Sequence, residues 1–175
     1  MPKGEVMPDL GIKRDAAERA MDVKGKIKQK STKVSVTPGP IERLLLVSEV
    51  KAHIDRWMAI FGRDREGIHF NEFIWHVFSY KRFPSVSRGD AAALYAQQVA
   101  PEFVVISNNR REGFVTRNRP AACSWQDWLI FPPNLAWTMA FTHEDKWLGP
   151  FFAQNSKFES LDAENRKALC SAPET

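Results

Sequence analysis

The sequence predicts an α+β fold, in which a mostly antiparallel sheet of about four to five strands carries two or three helices packed on one face. Three observations lead to this prediction. One long segment repeats its apolar residues at helical spacing, several later segments are short and rich in β-branched and aromatic residues, and prolines or polar turns separate those segments. Strands joined by such short connections pair antiparallel, because a parallel pair needs a long crossover.

Composition favours a globular domain preceded by a basic leader. The 175 residues are 43% hydrophobic and 26% charged, which is typical of a chain that buries a core. Residues 1–40 contain nine basic and five acidic side chains, whereas the remaining 16 basic and 16 acidic residues cancel. We therefore expect a basic, flexible leader over residues 1–37 and a single compact α+β domain over residues 38–175.

The cellular setting follows from what the chain contains. No apolar run approaches the roughly 18 residues of a membrane span. The first residues lack the basic-then-apolar layout of a secretory signal. Cys123 and Cys170 are far apart and lack metal or redox spacing, which favours free thiols in a reducing compartment. We expect a cytoplasmic protein that binds no cofactor and does not associate with a membrane.

The first element is predicted to be a long helix. Thr37-Pro38-Gly39-Pro40 is a typical start signal, with proline near the first helical turn. Apolar residues then recur every three or four positions as far as Gly62. The residues of this stripe are Leu44, Val47, Val50, Ile54, Trp57, Met58 and Phe61.

The next two elements are predicted to be a strand and a helix. Residues 73–80 are rich in aromatic and β-branched side chains and are apolar on both faces, which indicates a central strand. Ser87-Arg88-Gly89-Asp90 resembles a capping box. The helix that this box starts should carry Ala91, Leu94, Tyr95 and Val99 and end before Pro101.

The remaining elements are four strands and a short helix. Residues 103–107 and 114–116 are predicted to form a hairpin around a polar turn. Residues 128–131 should pair with the strand from Ala136 to His143, because the two prolines between them favour a turn. The last helix should extend from its cap at Asp162 to Cys170.

The polar end of the last predicted strand is the first candidate site. Alternation places His143 at the rim of the face that carries Trp137, Met139 and Phe141. With Glu144 beside it, His143 could act as a general base or a ligand. His76 is a further candidate, because its imidazole, together with that of His143 and a carboxylate, could form a zinc site.

A structural interpretation of the same residues is favoured. In it, His143 donates to a backbone carbonyl and Glu144 pairs with a lysine or an arginine. The four histidines are scattered and no two of them stand at i, i+4. We therefore assign no catalytic residue and no metal ligand.

A surface for a protein partner is the second candidate site. Six tryptophans exceed what a core of this size needs, so some aromatic side chains should be exposed. The segment from Trp147 to Phe152 is expected to fold back over the rim as an aromatic flap. At the polar turn, arginines could contact phosphates, although a solvated turn is favoured. The residues predicted to contact a partner are Trp125, Trp147, Phe151, Phe152, Arg110 and Arg111.

Two segments of the chain resemble a known family. Residues 70–81 (FNEFIWHVFSYK) and residues 137–144 (WTMAFTHE), the latter followed by Gly149-Pro150-Phe151-Phe152, resemble a bacterial family catalogued as domain of unknown function 4275. The resemblance covers roughly Glu42 to Ala153 and implies a single compact domain of bacterial origin. It implies no activity. The residues that it places in the family pattern are Trp75, His76, His143, Glu144, Gly149 and Pro150.

These observations favour a binding module over an enzyme. We expect a small protein of the immunity or inhibitory type that occupies the surface of another protein, which the basic leader suggests could be acidic. The first alternative is a hydrolase that uses His143 and Glu144 with help from His76. The second is nucleic-acid binding through the leader and the Arg110–Arg119 hairpin, which the neutral charge of the folded part disfavours.

Overall fold

The computed structural model describes residues 34–171. Residues 1–33 of the predicted leader therefore lie outside the described residues. Residues 34–37, which the sequence assigns to the leader, belong to the fold, because Val36–Thr37 pairs antiparallel with Ala122–Cys123. None of the helices in this part of the chain has the length and apolarity needed to cross a membrane.

Nine strands and four helices make up the described residues. In chain order they are β1 (Val36–Thr37), β2 (Arg43–Leu44), α1 (Val47–Ile60), α2 (His76–Ser79), β3 (Val86–Ser87), α3 (Arg88–Ala96), β4 (Phe103–Ser107), β5 (Gly113–Thr116), β6 (Ala122–Cys123), β7 (Trp128–Phe131), β8 (Trp137–Phe141), β9 (Phe151–Gln154) and α4 (Phe158–Cys170).

The main sheet has seven strands in the order β2-β5-β4-β7-β8-β9-β3, and every neighbouring pair is antiparallel. The predicted α+β class and antiparallel sheet are confirmed, as are the β4–β5 hairpin and the β7–β8 pair. The predicted number of four to five strands is wrong. Strands β2 and β3 contain two residues each, which is too short to show alternation, and β9 lies where an aromatic flap was expected.

Helices cover both faces of the main sheet, so the prediction of helices on one face is also wrong. The side chains of β4 alternate between two cores: Val104 and Ile106 pack on the side of α1 and α2, and Phe103 and Val105 pack on the side of α3 and α4. We call these the α1-side core and the α3-side core. All five residues of β4 are buried, and a strand that is apolar on both faces requires cover on both sides.

Helix α1 begins later than its proline signal predicts. Arg43 and Leu44 extend along β5 as an edge strand, so the helix cannot start near Pro40. Its first turn instead forms after Leu46, whose backbone N–H donates to the carboxylate of Glu49 at 2.8 Å.

The apolar stripe of α1 is confirmed over its central turns. Val50, Ile54 and Trp57 are buried against the sheet. The indole N–H of Trp57 donates to the hydroxyl of Thr138 at 3.0 Å, so that the helix is tied to β8 inside the core. The two stripe residues that are exposed are Leu44 and Val47.

Residues 73–80 form turns and the short helix α2 rather than a central strand. Ile74, Val77 and Phe78 are buried at spacings of three and four, which puts them on one side of a helical turn facing the α1-side core. Composition favoured a strand, but β-propensity reflects a preference for a half-buried apolar surface, and a compact turn meets that preference here.

The ends of α3 and α4 also differ from the predictions. Helix α3 starts at Arg88 as expected, but it ends at Ala96, before Val99. Helix α4 starts at Phe158, so Asp162 is not its cap. The carboxylate of Asp162 instead accepts from Arg166 within the helix at 2.7 Å.

Candidate functional site

His143 leaves the strand and turns to the opposite face of the sheet from the one predicted. Strand β8 ends at Phe141, whose ring stacks on Trp128 at a centroid distance of 4.0 Å on the α3 side. The imidazole of His143 lies against Phe73 at 4.8 Å and Trp75 at 5.8 Å, on the α1 side. Alternation fails because a turn begins at Thr142 and breaks the two-residue period.

One carboxylate oxygen organises the site. Oδ1 of Asp127 accepts a hydrogen bond from the indole N–H of Trp75 at 3.0 Å. It also accepts from the backbone N–H of His143 at 3.0 Å and from Nδ1 of the same residue at 2.9 Å. The side chain of Asp127 is only 10% exposed. Hydrogen bonds to a charged acceptor in such a setting are about twice as strong as neutral ones.

Sequence reasoning missed Asp127, because only the register of β7 with β8 reveals its position beside His143. Trp128 and Phe141 are register partners in the β7–β8 pair. The residue before Trp128 and the residues after Phe141 must therefore lie at the same end of the sheet. A carboxylate at position 127 is consequently within reach of an imidazole at position 143.

The bond to Asp127 fixes the tautomer of His143. A carboxylate only accepts, so Nδ1 carries the hydrogen and Nε2 is the free ring nitrogen. Nε2 lies 3.9 Å from Oε1 of Glu144. Among residues 34–171, no lysine or arginine forms an ion pair with the carboxylate of Glu144.

The turn after β8 is held by its own side chains. The carboxylate of Asp145 accepts from the backbone N–H of Thr142 at 2.8 Å and from its hydroxyl at 2.9 Å. Burial raises the pKa of Asp145, the two bonds from Thr142 lower it, and the negative charge of Asp127 raises it further. A Cβ at Gly149 would come within 2.7 Å of the side-chain oxygens of both Asp145 and Thr142, so a larger residue there would force these two side chains to shift.

His76 and His143 converge on the same two aromatic rings. The imidazole of His76 lies 5.4 Å from Phe73 and 4.5 Å from Trp75, which His143 also contacts. Nδ1 of His76 lies 2.9 Å from the carbonyl of His69, so each histidine uses Nδ1 within the fold. Within the described range, no three His, Cys, Asp or Glu side chains are grouped so that they could hold a metal ion.

A cavity of about 300 Å³ opens between α2 and the loop of residues 144–148. We call it the α2 cavity. A second cavity, of about 390 Å³, adjoins it at Ser79 and Leu148. The residues that line the α2 cavity are Trp75, His76, Ser79, Tyr80, Glu144 and Leu148.

The predicted aromatic flap does not form. Phe151 and Phe152 lie in β9 as register partners of Ala140 and Met139, and both are buried, so neither can contact a partner. Trp125 is half-buried and packs on Phe114 at 5.5 Å. Among the four aromatic residues predicted to contact a partner, Trp147 is the one that is mainly exposed.

The two arginines of the β4–β5 turn have different surroundings. The guanidinium of Arg110 donates to the carbonyl of Asn71 at 2.6 Å and so supports the segment before α2. Arg111 is exposed.

Cys123 does not have the properties of a nucleophile. The thiol is free and half-buried, and burial raises its pKa. A raised pKa lowers the thiolate fraction at neutral pH, and the thiolate is the reactive form.

A comparison with known protein families identifies the family to which the chain belongs. The family described as Domain of unknown function (DUF4275) matches residues 21–152. The chain belongs to the DUF4275 family. The resemblance noted in the sequence is thereby confirmed, and the DUF4275 match includes Asp127, His143 and every residue that lines the α2 cavity. No curated protein and no solved structure matches this DUF4275 chain.

We predict that Asp127→Ala lowers the free energy of unfolding by about 2 to 3 kcal/mol, because the buried indole N–H of Trp75 loses its acceptor. Asp127→Asn keeps an amide oxygen there, so its cost should be about 1 kcal/mol. Urea denaturation measures both. Asp64→Ala is the control, because its ion pair with Arg82 is exposed and contributes less than about 1 kcal/mol. Equal losses in Asp127→Ala and Asp64→Ala would contradict this role for Asp127.

We predict that Asp145→Asn changes stability little at neutral pH, whereas Asp145→Ala lowers it by about 1 to 2 kcal/mol because Thr142 loses its acceptor. The fold raises the pKa of Asp145, so the folded state binds this proton more tightly than the unfolded state. The stability that Asp145 contributes therefore decreases as pH rises through its raised pKa. Denaturation from acid to neutral pH should show wild type losing stability relative to Asp145→Asn; a relative gain would contradict the prediction.

Proposed function

We propose that this chain is a protein-binding module of the immunity or inhibitory type, which works in the cytoplasm by occupying the surface of its partner. The observation that carries the proposal is the exposure of Trp147, at 61%. The other tryptophans are buried or half-buried: Trp57, Trp75, Trp125, Trp128 and Trp137. Tryptophan is one of the three residue types that are enriched among the side chains that contribute most to binding at protein interfaces.

The surroundings of Trp147 support this proposal. Leu148, which follows Trp147 in the chain, lines the α2 cavity together with Tyr80, which is 49% exposed. The carbonyl of Glu144 accepts from the backbone N–H groups of Trp147 at 3.0 Å, Leu148 at 2.8 Å and Gly149 at 3.2 Å. The guanidinium of Arg88 donates to the carbonyl of Trp147. A loop held in this way loses little conformational entropy when it binds.

The charge of the first forty residues supports an acidic partner, and the free cysteines support a cytoplasmic location. The net positive charge of residues 1–40 suits a partner with acidic character. Cys123 and Cys170 are both free, which fits the reducing cytoplasm.

We predict that Trp147→Ala weakens partner binding at least about tenfold, because truncation of a central aromatic costs more than about 1.4 kcal/mol. The partner is captured from the native host with the full chain and identified by mass spectrometry. Calorimetry then measures its affinity for each variant. Leu46→Ala is the matched control, because Leu46 is equally exposed, at 66%, but follows β2 at the opposite edge of the sheet. Unchanged affinity in Trp147→Ala, or an equal loss in Leu46→Ala, would contradict the proposed surface.

The Asp127–His143 pair favours a second candidate, an acid–base enzyme. A carboxylate that holds Nδ1–H of an imidazole leaves Nε2 to take a proton, as hydrolases require. Against this candidate, the described contact of Nε2 is with the carboxylate of Glu144 at 3.9 Å, and not with a hydroxyl or thiol that it could activate.

The enzyme candidate makes its own prediction. The wild-type chain should turn over a member of a panel of chromogenic esters, amides and phosphoesters, and His143→Ala should abolish that turnover at a temperature where the variant is still folded. If the folded His143→Ala variant keeps the turnover, or wild type turns over no substrate of the panel, the candidate fails.

A further inference from the structure

We propose that the α2 cavity binds an arginine side chain of the partner protein, with Glu144 as its counter-ion. This inference rests on the proposed binding function and names the chemistry that the same surface recognises. Three properties of the cavity carry it: its charge, the arrangement of its aromatic walls, and its size.

The charge of the cavity is negative. Glu144 supplies the one carboxylate among the lining residues, and no lysine or arginine is among them. Lys81 lines the adjoining cavity instead. The side chain of Glu144 is only 25% exposed, and no hydrogen bond to its carboxylate is formed by the residues between Val34 and Ser171. A carboxylate partly withdrawn from water without a donor is stabilised by a cation that brings N–H groups to it.

The aromatic walls suit a planar cation. The ring of His76 is nearly perpendicular to that of Trp75, at 77° and a centroid distance of 4.5 Å. It is also steeply inclined to that of Tyr80, at 70° and 5.5 Å. The rings therefore form the sides of a corner rather than a flat stack. A cation placed in the corner can lie over the ring of Tyr80, which is 49% exposed, where the ring quadrupole attracts it.

The size of the cavity and the type of contacts favour arginine over lysine. A volume of about 300 Å³ is sufficient for one long side chain. A guanidinium is planar and weakly hydrated, stacks on aromatic faces, and donates two parallel hydrogen bonds to a carboxylate. An ammonium group is compact and strongly hydrated, so it uses the carboxylate but gains less from the rings.

The test uses ethylguanidinium as the probe and ethylurea as its neutral control of the same shape. The full chain, labelled with ¹⁵N, is titrated with each at constant ionic strength, and the amide and indole shifts are followed by NMR. Ethylguanidinium should cause saturable shifts at Trp75, Ser79 and Leu148, and ethylurea should not. Glu144→Gln should weaken ethylguanidinium binding at least about fivefold, whereas Glu164→Gln, at an exposed acid on α4, should leave it unchanged.

Three results would overturn the assignment. Equal shifts with ethylurea would show that charge is not recognised. Unchanged affinity in Glu144→Gln would show that the cation binds elsewhere. Equal affinity for butylammonium would show that the planar shape of guanidinium is not recognised.

The outcomes also separate this inference from the proposed function. If Trp147→Ala weakens partner binding while Glu144→Gln does not, the arginine site fails and the binding function stands. If ethylguanidinium binds through Glu144 but Trp147→Ala leaves partner affinity unchanged, the cavity is a cation site and its assignment to a partner arginine is overturned.

Discussion

The carboxylate of Asp127 joins parts of the chain that are otherwise separate. It lies directly before β7, and its Oδ1 accepts from Trp75 in the α2 segment and twice from His143 in the loop after β8. These two segments form the walls of the α2 cavity, and the loop also presents Trp147. The geometry of the candidate surface therefore depends on one side chain that lies beneath it.

Two neighbouring side chains extend this support to an irregular stretch of backbone. Irregular backbone near a core needs partners for its N–H and C=O groups. At the end of β4, the amide of Asn108 accepts from Ile74 N–H at 3.2 Å and donates to the carbonyl of Glu72 at 2.8 Å. Arg110 contributes its bond to the carbonyl of Asn71. Side chains at one end of the sheet thus hold residues 71–75 in place. These bonds hold the candidate surface in one conformation, which favours a role in binding.

The local sequence pattern predicted the elements whose periodicity is strong. It could not predict the elements that depend on contacts with residues far away in the chain. The stripe of Val50, Ile54 and Trp57 forms a helix, and the apolar runs of β4, β5, β7 and β8 form strands, as predicted. Residues 73–80 have the composition of a strand, and their turns depend on Asn108 and Asp127, which lie more than thirty residues away in the chain. Sequence pattern identified His143 and Glu144 as candidates. It missed Asp127, because the link between positions 127 and 143 exists only in the register of β7 with β8.

Native-state hydrogen exchange of wild type and Asp127→Ala shows whether Asp127 holds the candidate surface in place, because it measures local opening amide by amide. We expect faster exchange in the variant at Trp147, Leu148 and Gly149, whose N–H groups bond to the carbonyl of Glu144, and at Ile74, with the amides of β4 and β5 still protected. Exchange that accelerates equally across the whole sheet, or that does not change in the loop, would contradict the claim that Asp127 holds the candidate surface in place.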